Sequence, residues 1–501
     1  MQKIDTTDSP ARGSGAVRII GCLSVLATVA LAAVGCRNSG PAKQWEDELE
    51  MPGSLGLQDQ DFPITEREAW FSFFDDDELR LLVQQALESN PGLNAARARV
   101  TQAEARVDLA EASFWPTLSA SIEALRTRAP LGQGLPSDIG GGGGGGGEVM
   151  TFDTYRASLA ASYEVDIWNR LSDQSRAAVF ARDAAASALQ SVGITVAANL
   201  TEAWLDTLLS KQRLHVLDEQ AEVSKDLLEL TEWRLANGQG SALEVSRQDQ
   251  QYASVLELIE REQAQLEASK ARLAQLVGEA PQEANIDLER DDFPKLPAVP
   301  EPGLPGSLLY RRPDLQQSLN QLRGEDARAA ALLAERFPAL QLQASLFGES
   351  RDWQSLFDDL FYRIAVSLSE ELFDGGREQA RIAEQEALVE ERLYSLRETL
   401  LSALGEVAIT GAQYAQQRKA LALMYQQLDS AREATRLANL EFVRGEVPYI
   451  QTLDTLRSLQ QLELGVLNAE RQLLALHVQL CRALGGAWPE ELAVEVGKER
   501  S

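Results

Sequence analysis

Two long helical runs, each interrupted once by a glycine-containing turn, decide the fold of this chain. The first extends from about Leu171 to Ala280, and its turn reads Arg234-Leu235-Ala236-Asn237-Gly238-Gln239-Gly240. The second extends from about Arg377 to Leu484, and its turn reads Phe442-Val443-Arg444-Gly445-Glu446-Val447-Pro448. No proline lies between Arg170 and the first turn, so at ~1.5 Å per residue that arm is a helix of roughly 100 Å. Since an ordinary helix has ~11 residues, the pattern predicts two very long helical hairpins.

The second half of the chain repeats the first at a constant spacing. Asn90-Pro91-Gly92-Leu93 corresponds to Arg312-Pro313-Asp314-Leu315, which lies 222 residues later. Beyond the loop between the two strands of each half the spacing becomes 207 residues, because that loop is 15 residues shorter in the second half, and Gly238 there corresponds to Gly445. A spacing that persists across elements of different type indicates the duplication of one unit.

Each half also contains two stretches in which apolar and polar residues alternate. In the first half the alternation runs from Leu118 to Ala124 and again from Tyr155 to Val165. A period of two is typical of a strand with one apolar face. The glycines Gly140 to Gly147 favour a flexible loop over a phosphate cradle, because neither a Lys-Ser/Thr pair nor a helix start follows them. Strands are expected at about 117–128, 151–166, 339–348 and 360–372.

These elements predict a mainly α fold with one β-hairpin in each half of a tandem repeat. The expected boundaries are, in chain order, a first repeat at 66–280 with its helical hairpin at about 171–280, a proline-rich linker at 281–306, a second repeat at 307–490 with its helical hairpin at about 377–485, and a C-terminal tail at 491–501.

Four strands are too few to close a barrel, and an open sheet edge cannot lie in lipid. If the strands lie in a membrane, several chains must contribute them, and three copies would supply twelve. The helices carry apolar stripes at heptad spacing, from Leu393 to Val407 and from Leu421 to Phe442. The stripes fit an antiparallel pair within one hairpin, and they also fit a helical barrel in which the hairpins of neighbouring chains pack together.

The N-terminal segment has the pattern of an export signal. Two arginines precede the apolar run Ile19 to Gly35, which is short for a spanning helix. The glycine directly before Cys36 resembles a bacterial lipoprotein signal, in which residues 1–35 are removed, the cysteine is lipidated and residues 36–65 form an extended arm. An ordinary cleaved signal and a retained anchor helix are the alternatives. Arg37, where an aspartate would resemble an inner-membrane retention signal, favours the outer membrane.

Composition and motifs argue against catalysis and against nucleic acid as a partner. The formal net charge of −29 would repel phosphates. Cys481 is the one cysteine outside the N-terminal segment, so no intrachain disulfide is expected in the body. His215 and His477 lie in helical stretches without further ligands at metal-binding spacing. Because the chain carries no Walker loop, serine elbow or HExxH motif, no catalytic residue, metal or cofactor is expected, and the chain is not predicted to be an enzyme.

The Cys36 signal, the tandem repeat, Asn90-Pro91, Phe337-Pro338 and Gly445 together resemble the TolC-like outer-membrane efflux channels, and most of all their lipoprotein branch. The resemblance covers roughly residues 65–490. It implies a homotrimer whose twelve-stranded β-barrel lies in the outer membrane of a Gram-negative bacterium and continues as an α-helical barrel through the periplasm. The partners that it implies are a periplasmic adaptor protein, an inner-membrane transporter and outer-membrane lipid.

The resemblance also assigns a gate near the turn of the second hairpin. By similarity, Asp454 is the acidic position that narrows the closed entrance, and Ile450 is an apolar constriction. Residues four apart share one face of a helix, and three-fold symmetry turns each of them into a ring. A ring of carboxylates attracts cations. From the residues alone, a solvated charge on a helix surface is the alternative interpretation of Asp454.

The two turns are the place where the resemblance expects an adaptor to dock. Gly238 and Gly240 mark the first tip, and Gly445 marks the second. Two positions depart from the family pattern, because Gln451 replaces a second acid and Val447 replaces a basic residue that latches the tip in some relatives. Gating would therefore rest on the apolar and acidic rings with less polar reinforcement.

The expected function is that of a passive exit duct in a tripartite efflux system, which carries small molecules such as drugs and toxic compounds from the periplasm to the exterior. The alternative is a lipid-anchored periplasmic scaffold or adaptor-type protein without a pore. A scaffold has no need of lipid-facing strands, and all four predicted strands alternate. The alternation therefore favours the duct.

Overall fold

A computed structural model of the chain describes residues 74, 76–130, 149–284, 286–297 and 311–486. All of them belong to one structural unit, Glu50–Ser501. Several regions singled out above lie outside the described residues: the signal segment 1–35, Cys36 with the whole arm 36–65, the glycine run, the linker after residue 297, and the tail 491–501.

The described elements follow the order expected for a duplicated unit. The helices are α1 (Asp77–Ser89), α2 (Pro91–Ala112), α3 (Arg170–Ala236), α4 (Ala242–Val277), α5 (Pro313–Ala334), α6 (Arg377–Arg444) and α7 (Tyr449–Ala483). The strands are β1 (Thr117–Pro130), β2 (Val149–Val165), β3 (Ala339–Ser350) and β4 (Leu360–Ser369), with a 3-10 turn at Trp353–Ser355 before β4. The predicted mainly α fold with one β-hairpin per half is confirmed.

The four strands form one antiparallel sheet in the order β1-β2-β3-β4. In the first hairpin Thr117 lies opposite Ser162, and in the second Ala339 lies opposite Ser369. Adding 222 residues to the first member and 207 to the second converts one pair into the other. The duplication therefore extends to the register of the strands, and the β2–β3 pairing joins the two halves.

Each long helix is covered along its length by two shorter ones. α3 has 67 residues, and it packs against the 36 residues of α4 towards the turn and the 22 residues of α2 towards the sheet. α6, with 68 residues, packs in the same way against α7 and α5. Both long helices are roughly 100 Å long at ~1.5 Å per residue. None of the helices within the described residues has a stretch apolar enough to cross a membrane.

The largest apolar cluster lies where α1, α3 and α7 meet. Their residues face one another at helical spacing, so each helix contributes one apolar stripe. A fully buried Leu or Trp in such a stripe stabilises the fold by roughly 1.5–3 kcal/mol relative to its exposure. Members of the cluster include Leu79, Val83, Leu87, Leu200, Trp204, Leu208, Leu474, Val478 and Cys481.

Two glycines lie at close contacts between helices, which we call joints. Gly278 brings the end of α4 against the chain just before α2, and Gly485 brings the end of α7 against the chain just before α5. Gly278 ends α4 with a left-handed φ of 93°, and a Cβ there would lie 2.7 Å from the carbonyl oxygen of Ser89. Gly485, 207 residues later, follows α7 with a φ of 97°, and a Cβ there would lie 2.9 Å from the backbone of Arg311. Only a residue without a side chain allows both the conformation and the close approach.

The two joints are held by different side chains, although both side chains donate to carbonyl groups at equivalent positions of the repeat, those of Leu276 and Ala483. Asn90 accepts hydrogen bonds from the first amides of α2 and donates from Nδ2 to the carbonyl of Leu276 at 2.8 Å. Arg312 donates from Nη1 to the carbonyl of Ala483 at 2.7 Å and pairs with Glu406 at 2.9 Å. A neutral cap therefore closes the first joint, and an ion pair helps to close the second.

We expect Gly278→Ala to destabilise the protein more than Gly375→Ala, which serves as its matched control. Both positions have a left-handed φ, which costs an alanine ~1–2 kcal/mol. Nothing lies within 4 Å of a Cβ at Gly375, whereas the clash at Gly278 adds a further ~1–3 kcal/mol of overpacking. Thermal unfolding of the two variants in detergent measures the difference. Equal shifts in Tm would show that the joint tolerates a side chain.

Candidate functional site at the hairpin tips

The two tip turns are short, and glycine ends the helix before each of them. Gly445 has a φ of 77° and ends α6, while Gly238 has a φ of 74° and lies just after α3. A Cβ at Gly240 would lie 3.2 Å from the amide nitrogen of Leu235. After it, Ser241 and Glu244 form a reciprocal capping box that starts α4. Both turns are thus specified by local sequence.

Ile450 and Asp454 lie in the first two turns of α7, and both side chains are exposed in the single chain. Their neighbours Tyr449 and Leu453 are buried against the rest of the tip. The helix therefore presents the two residues on a face that the chain itself does not cover. This placement leaves them free to face a lumen or another chain.

Arg234 connects the tips of the two hairpins. Its guanidinium lies 4.6 Å from the centre of the Phe442 ring, and Nη1 donates a hydrogen bond of 3.4 Å to the carbonyl of the same residue. Nη2 donates to the carbonyl of Gln239 at 3.3 Å. The arginine therefore ties the end of α3 to the end of α6 by a cation–π contact and backbone hydrogen bonds.

Tyr449, the first residue of α7, is anchored in the first hairpin. Its hydroxyl donates a hydrogen bond of 2.5 Å to Oε1 of Gln248, which is itself buried and donates to the carbonyl of Ser224 at 2.7 Å. Burial raises the pKa of Tyr449 to about 12, so the hydroxyl keeps its proton and remains a donor. This chain of hydrogen bonds fixes the start of α7 against α3 and α4.

Further glutamines continue this contact away from the tip. Nε2 of Gln251 donates to Oε1 of Gln460 at 3.0 Å, and Nε of Arg457 donates to Oε1 of Gln251 at 2.7 Å. Gln220 donates to Glu463 at 2.9 Å. Because these side chains sit between the hairpins, where water is largely excluded, each unmade hydrogen bond would cost ~1–3 kcal/mol. Polar residues thus fill part of the contact between the hairpins.

The sequence pointed to the turns and, through the family resemblance, to Ile450 and Asp454, but not to Arg234, Tyr449 or the glutamines. The sequence feature that could have indicated the glutamines is the presence of polar residues at helix positions that face the other hairpin. The structure also leaves large apolar side chains exposed around the tips, namely Trp233, Leu243 and Val443.

The two histidines have different surroundings. His215 is on the surface near Glu219, whereas His477 is buried between Phe74 and Tyr414, and its two ring nitrogens have no hydrogen-bond partner in the described part of the chain. Burial lowers the pKa of His477 to about 4. Among the residues that the structure describes, no group of three or more His, Cys, Asp or Glu side chains could hold a metal ion.

We expect His477→Leu to reduce the amount by which the free energy of unfolding falls when the pH is lowered. In the native state His477 binds a proton only near pH 4, while the unfolded chain binds it near 6.5, so stability falls as the pH drops between these values. Tyr414, whose ring centre lies 6.1 Å from that of His477, and Cys481, four residues further along α7, are neutral in this range, and burial raises the pKa of each still further. The total loss is on the order of 3 kcal/mol, at ~1.4 kcal/mol per pKa unit.

Unfolding in denaturant at pH 7.5 and pH 4.5 measures the effect. His215→Leu is the control, because it removes a histidine from the surface of the same protein. If His477→Leu kept the full acid sensitivity, another group would have to cause it.

Paired long helical hairpins that continue from an antiparallel sheet with two open edges define the class of outer-membrane efflux channels. The chain belongs to the outer membrane efflux protein family, which its residues 82–279 and 304–486 match. The match covers both halves of the repeat. The predictions of this family and of an efflux channel are therefore confirmed, and the scaffold alternative is not supported. The family is one of channels rather than enzymes.

Several curated relatives align over most of the chain. It is 29% identical over 423 residues to the pyoverdine export outer membrane protein OpmQ of Pseudomonas aeruginosa, covering 84% of this chain and 88% of that protein. It is 29% identical over 434 residues to the outer membrane protein OprJ of the same species, covering 84% and 86%. The cation efflux system protein CusC of Escherichia coli K12 is 24% identical over 470 residues, covering 91% and 98%.

Solved structures agree with the fold. The outer-membrane channel OprN superimposes with a TM-score of 0.81 at 25% identity, covering 89% of this chain and 98% of that one. The CmeC outer membrane channel of Campylobacter jejuni superimposes with a TM-score of 0.79 at 19% identity, covering 89% and 96%, and supports the fold alone.

Proposed function

We propose that this chain forms a passive exit duct of a tripartite efflux system. The observation that carries the proposal is a sheet whose two outer strands have no further strand partner among the described residues, and which continues directly into helices of roughly 100 Å. Three copies would close their twelve strands into a barrel in the outer membrane, and their helical hairpins would form a second barrel through the periplasm. Closure removes the open edges, which lipid does not tolerate.

The proposed partners are a periplasmic adaptor protein, which docks at the tips around Gly238, Gly240 and Gly445, and an inner-membrane transporter. The exposed apolar residues Trp233 and Leu243 support docking, because large apolar side chains without partners mark interaction sites. Energy would come from the transporter. The cargo that we propose is the class of small molecules, and relatives are named for pyoverdine export, cation efflux and solvent efflux.

The proposed gate consists of Ile450 and Asp454 from three chains. Their exposure on one face of α7 supports this role, since side chains four residues apart can enter one lumen. The isoleucine ring would exclude water at the narrowest point, and the carboxylate ring would favour cations. Lipidation of Cys36 would hold the chain at the outer membrane, and one relative is named a probable outer membrane lipoprotein, SilC of Salmonella typhimurium.

Native mass spectrometry of the detergent-extracted protein, followed by conductance in planar bilayers, tests the proposal. A trimer that carries acyl mass and conducts ions supports it. A monomer would contradict the duct and favour the scaffold. So would a trimer that gives no conductance even after the gate residues are truncated.

A further inference from the structure

The polar face of the sheet carries an aromatic and cationic cluster near the end of the sheet that is remote from the helices. Closer to the helices this face consists mainly of serines and glutamines, among them Ser119, Ser121, Ser158, Ser162, Gln341, Gln343, Ser345 and Ser367. Phe347 of β3 and Phe361 of β4 lie opposite each other on the same face. Arg156 of β2 and Arg363 of β4 both contact the ring of Phe347. We call these four residues the collar.

We propose that the collar binds organic anions that carry an aromatic ring, on the wall of the duct near its exit. The proposal rests on the proposed function, because a barrel that turns its apolar face to lipid makes the polar face the wall of its lumen. It adds a solute-binding site at the opposite end of the duct from the proposed gate. The charge preference of this site is the reverse of that expected for a ring of carboxylates.

Two arginines from different strands converge on one phenylalanine ring. The guanidinium carbon of Arg156 lies 4.9 Å from the centre of the Phe347 ring, and that of Arg363 lies 5.8 Å from it. A cation–π contact holds a guanidinium in place without consuming its N–H donors. These donors remain available to a carboxylate or a sulfonate, which a guanidinium can bind through parallel hydrogen bonds.

The charges of the collar are not neutralised by a contacting carboxylate. In the part of the chain that the structure describes, neither arginine of the collar forms an ion pair, whereas Arg126 on the apolar face binds Asp153 through hydrogen bonds of 2.6 and 2.8 Å. A guanidinium is weakly hydrated for a cation and suits planar recognition of an anionic group. The unpaired arginines therefore leave room for an anion from outside the chain.

The surroundings of the two arginines differ. Arg363 lies opposite Ser345 in the register of β3 and β4. Arg156 lies opposite Glu123 on one side and opposite Glu349 on the other. These two glutamates repel an approaching anion and so offset part of the attraction of Arg156. Arg363 is therefore the main contact for the acidic group of the ligand.

Phe361 supplies an apolar surface beside Arg363. Its ring stacks on that of Phe347, with 5.6 Å between the ring centres and an interplanar angle of 30°. Phe347 is half-buried under the two guanidinium groups, whereas Phe361 is 51% exposed. An aryl group can stack on the open ring of Phe361 while its acidic group reaches the guanidinium two residues along the same strand. The site therefore selects for a ring and a negative charge in one molecule.

The collar lies near the outer limit of the membrane in the proposed duct. β2 joins the helices at Val165, and from there to Arg156 it spans roughly 30 Å at ~3.4 Å per residue. A strand tilted by ~40° rises roughly 23 Å over that length, and the apolar band of such barrels is about 25 Å tall. The apolar face agrees, because Arg126 and Asp153 replace apolar residues at the same end. Three chains would place three collars around the exit.

Binding of naphthalenesulfonate to the full-length protein in a non-ionic detergent tests the proposal, with isothermal titration calorimetry as the measurement. Two control probes separate the parts of the ligand. Methanesulfonate keeps the negative charge without the ring, and naphthyltrimethylammonium keeps the ring with a positive charge. The Kd of naphthalenesulfonate should be about tenfold lower than that of either control, because only this probe has both contacts.

Variants of the collar locate the binding. Arg363→Gln should raise the Kd of naphthalenesulfonate about tenfold, because it removes a charge-assisted hydrogen bond. Phe361→Leu should raise it about threefold and should leave the binding of methanesulfonate unchanged. Arg128→Gln is the matched control, since Arg128 is exposed at the same end of the sheet and belongs to the apolar face by its alternation. Native mass spectrometry shows whether each variant assembles as the wild type does.

Equal binding of the three probes would overturn the proposal, and so would equal effects of Arg363→Gln and Arg128→Gln. Absence of naphthalenesulfonate binding in a trimer that conducts ions would also overturn it, and in that case the duct would stand. A monomer without conductance would overturn the duct and, with it, the placement of the collar in a lumen.

Discussion

Truncating the proposed gate residues with Ile450→Ala and Asp454→Ala should raise the conductance of the protein in planar bilayers on the order of tenfold, because the narrowest point of the duct would then lose three isoleucine and three aspartate side chains. Both residues are exposed on the face of α7 that the chain leaves uncovered. Three-fold symmetry removes three side chains with each substitution. Single-channel recording at neutral pH measures the change.

The repeat offers a matched control for this experiment. Leu243 and Arg247 of α4 are the counterparts of Ile450 and Asp454, 207 residues earlier. Leu243→Ala with Arg247→Ala should leave the conductance near the wild-type value, since we place the gate on the second hairpin. Asp454→Asn should lower the preference for cations with little change in pore width. Equal effects of the two double variants would show that Ile450 and Asp454 of α7 do not form the gate.

Placing an arginine at Ile122 should prevent accumulation of the protein in the outer membrane, whereas an arginine at Ser121 should be tolerated. A charge on the lipid-facing side of a barrel strand costs ~2–4 kcal/mol near the bilayer centre, and a trimer bears it three times, on the order of 6–12 kcal/mol. Ile122 lies on the apolar face of β1. Ser121 lies on the other face, where its hydroxyl hydrogen-bonds that of Ser158 at 2.8 Å.

Quantifying the trimer in isolated outer membranes tests this difference directly. Ser121→Arg should also lower the preference for cations, because three positive charges would then line the lumen. If both variants accumulated equally, the apolar face of β1 would not be facing lipid. If Ser121→Arg alone failed, the two faces would have been assigned in the wrong order.

The long helices and the strands could be predicted because each produces a regular spacing of apolar residues over a short stretch of sequence. A proline-free helical pattern identified the long first arm of each hairpin, and strict alternation identified the strands. The tip turns could be located because the left-handed conformation of Gly238 and Gly445 favours a residue without Cβ. Ile450 and Asp454 came from the resemblance to the efflux-channel family, and their four-residue spacing predicted only that they share one face of a helix.

The contacts that connect the halves could not be predicted in this way. Arg234 and Phe442 are 208 residues apart, and Tyr449 and Gln248 are 201 residues apart. A local pattern shows that a side chain faces inward, but the partner is chosen by the packing of separate elements. His477 illustrates the same limit, since its helical position gave no sign that burial would leave both of its ring nitrogens without partners.

The sequence by itself determined the two hairpins, the four strands with their faces, and the duplication, because these depend on periods of two, on helical spacing and on one constant offset. Tertiary structure decided how the hairpins are tied together at Arg234, at Tyr449 and at the glycine joints, and it decided which strand edges remain unpaired. The physical reason is the range of each interaction. Backbone geometry repeats over a few residues, whereas packing brings together side chains some 200 positions apart.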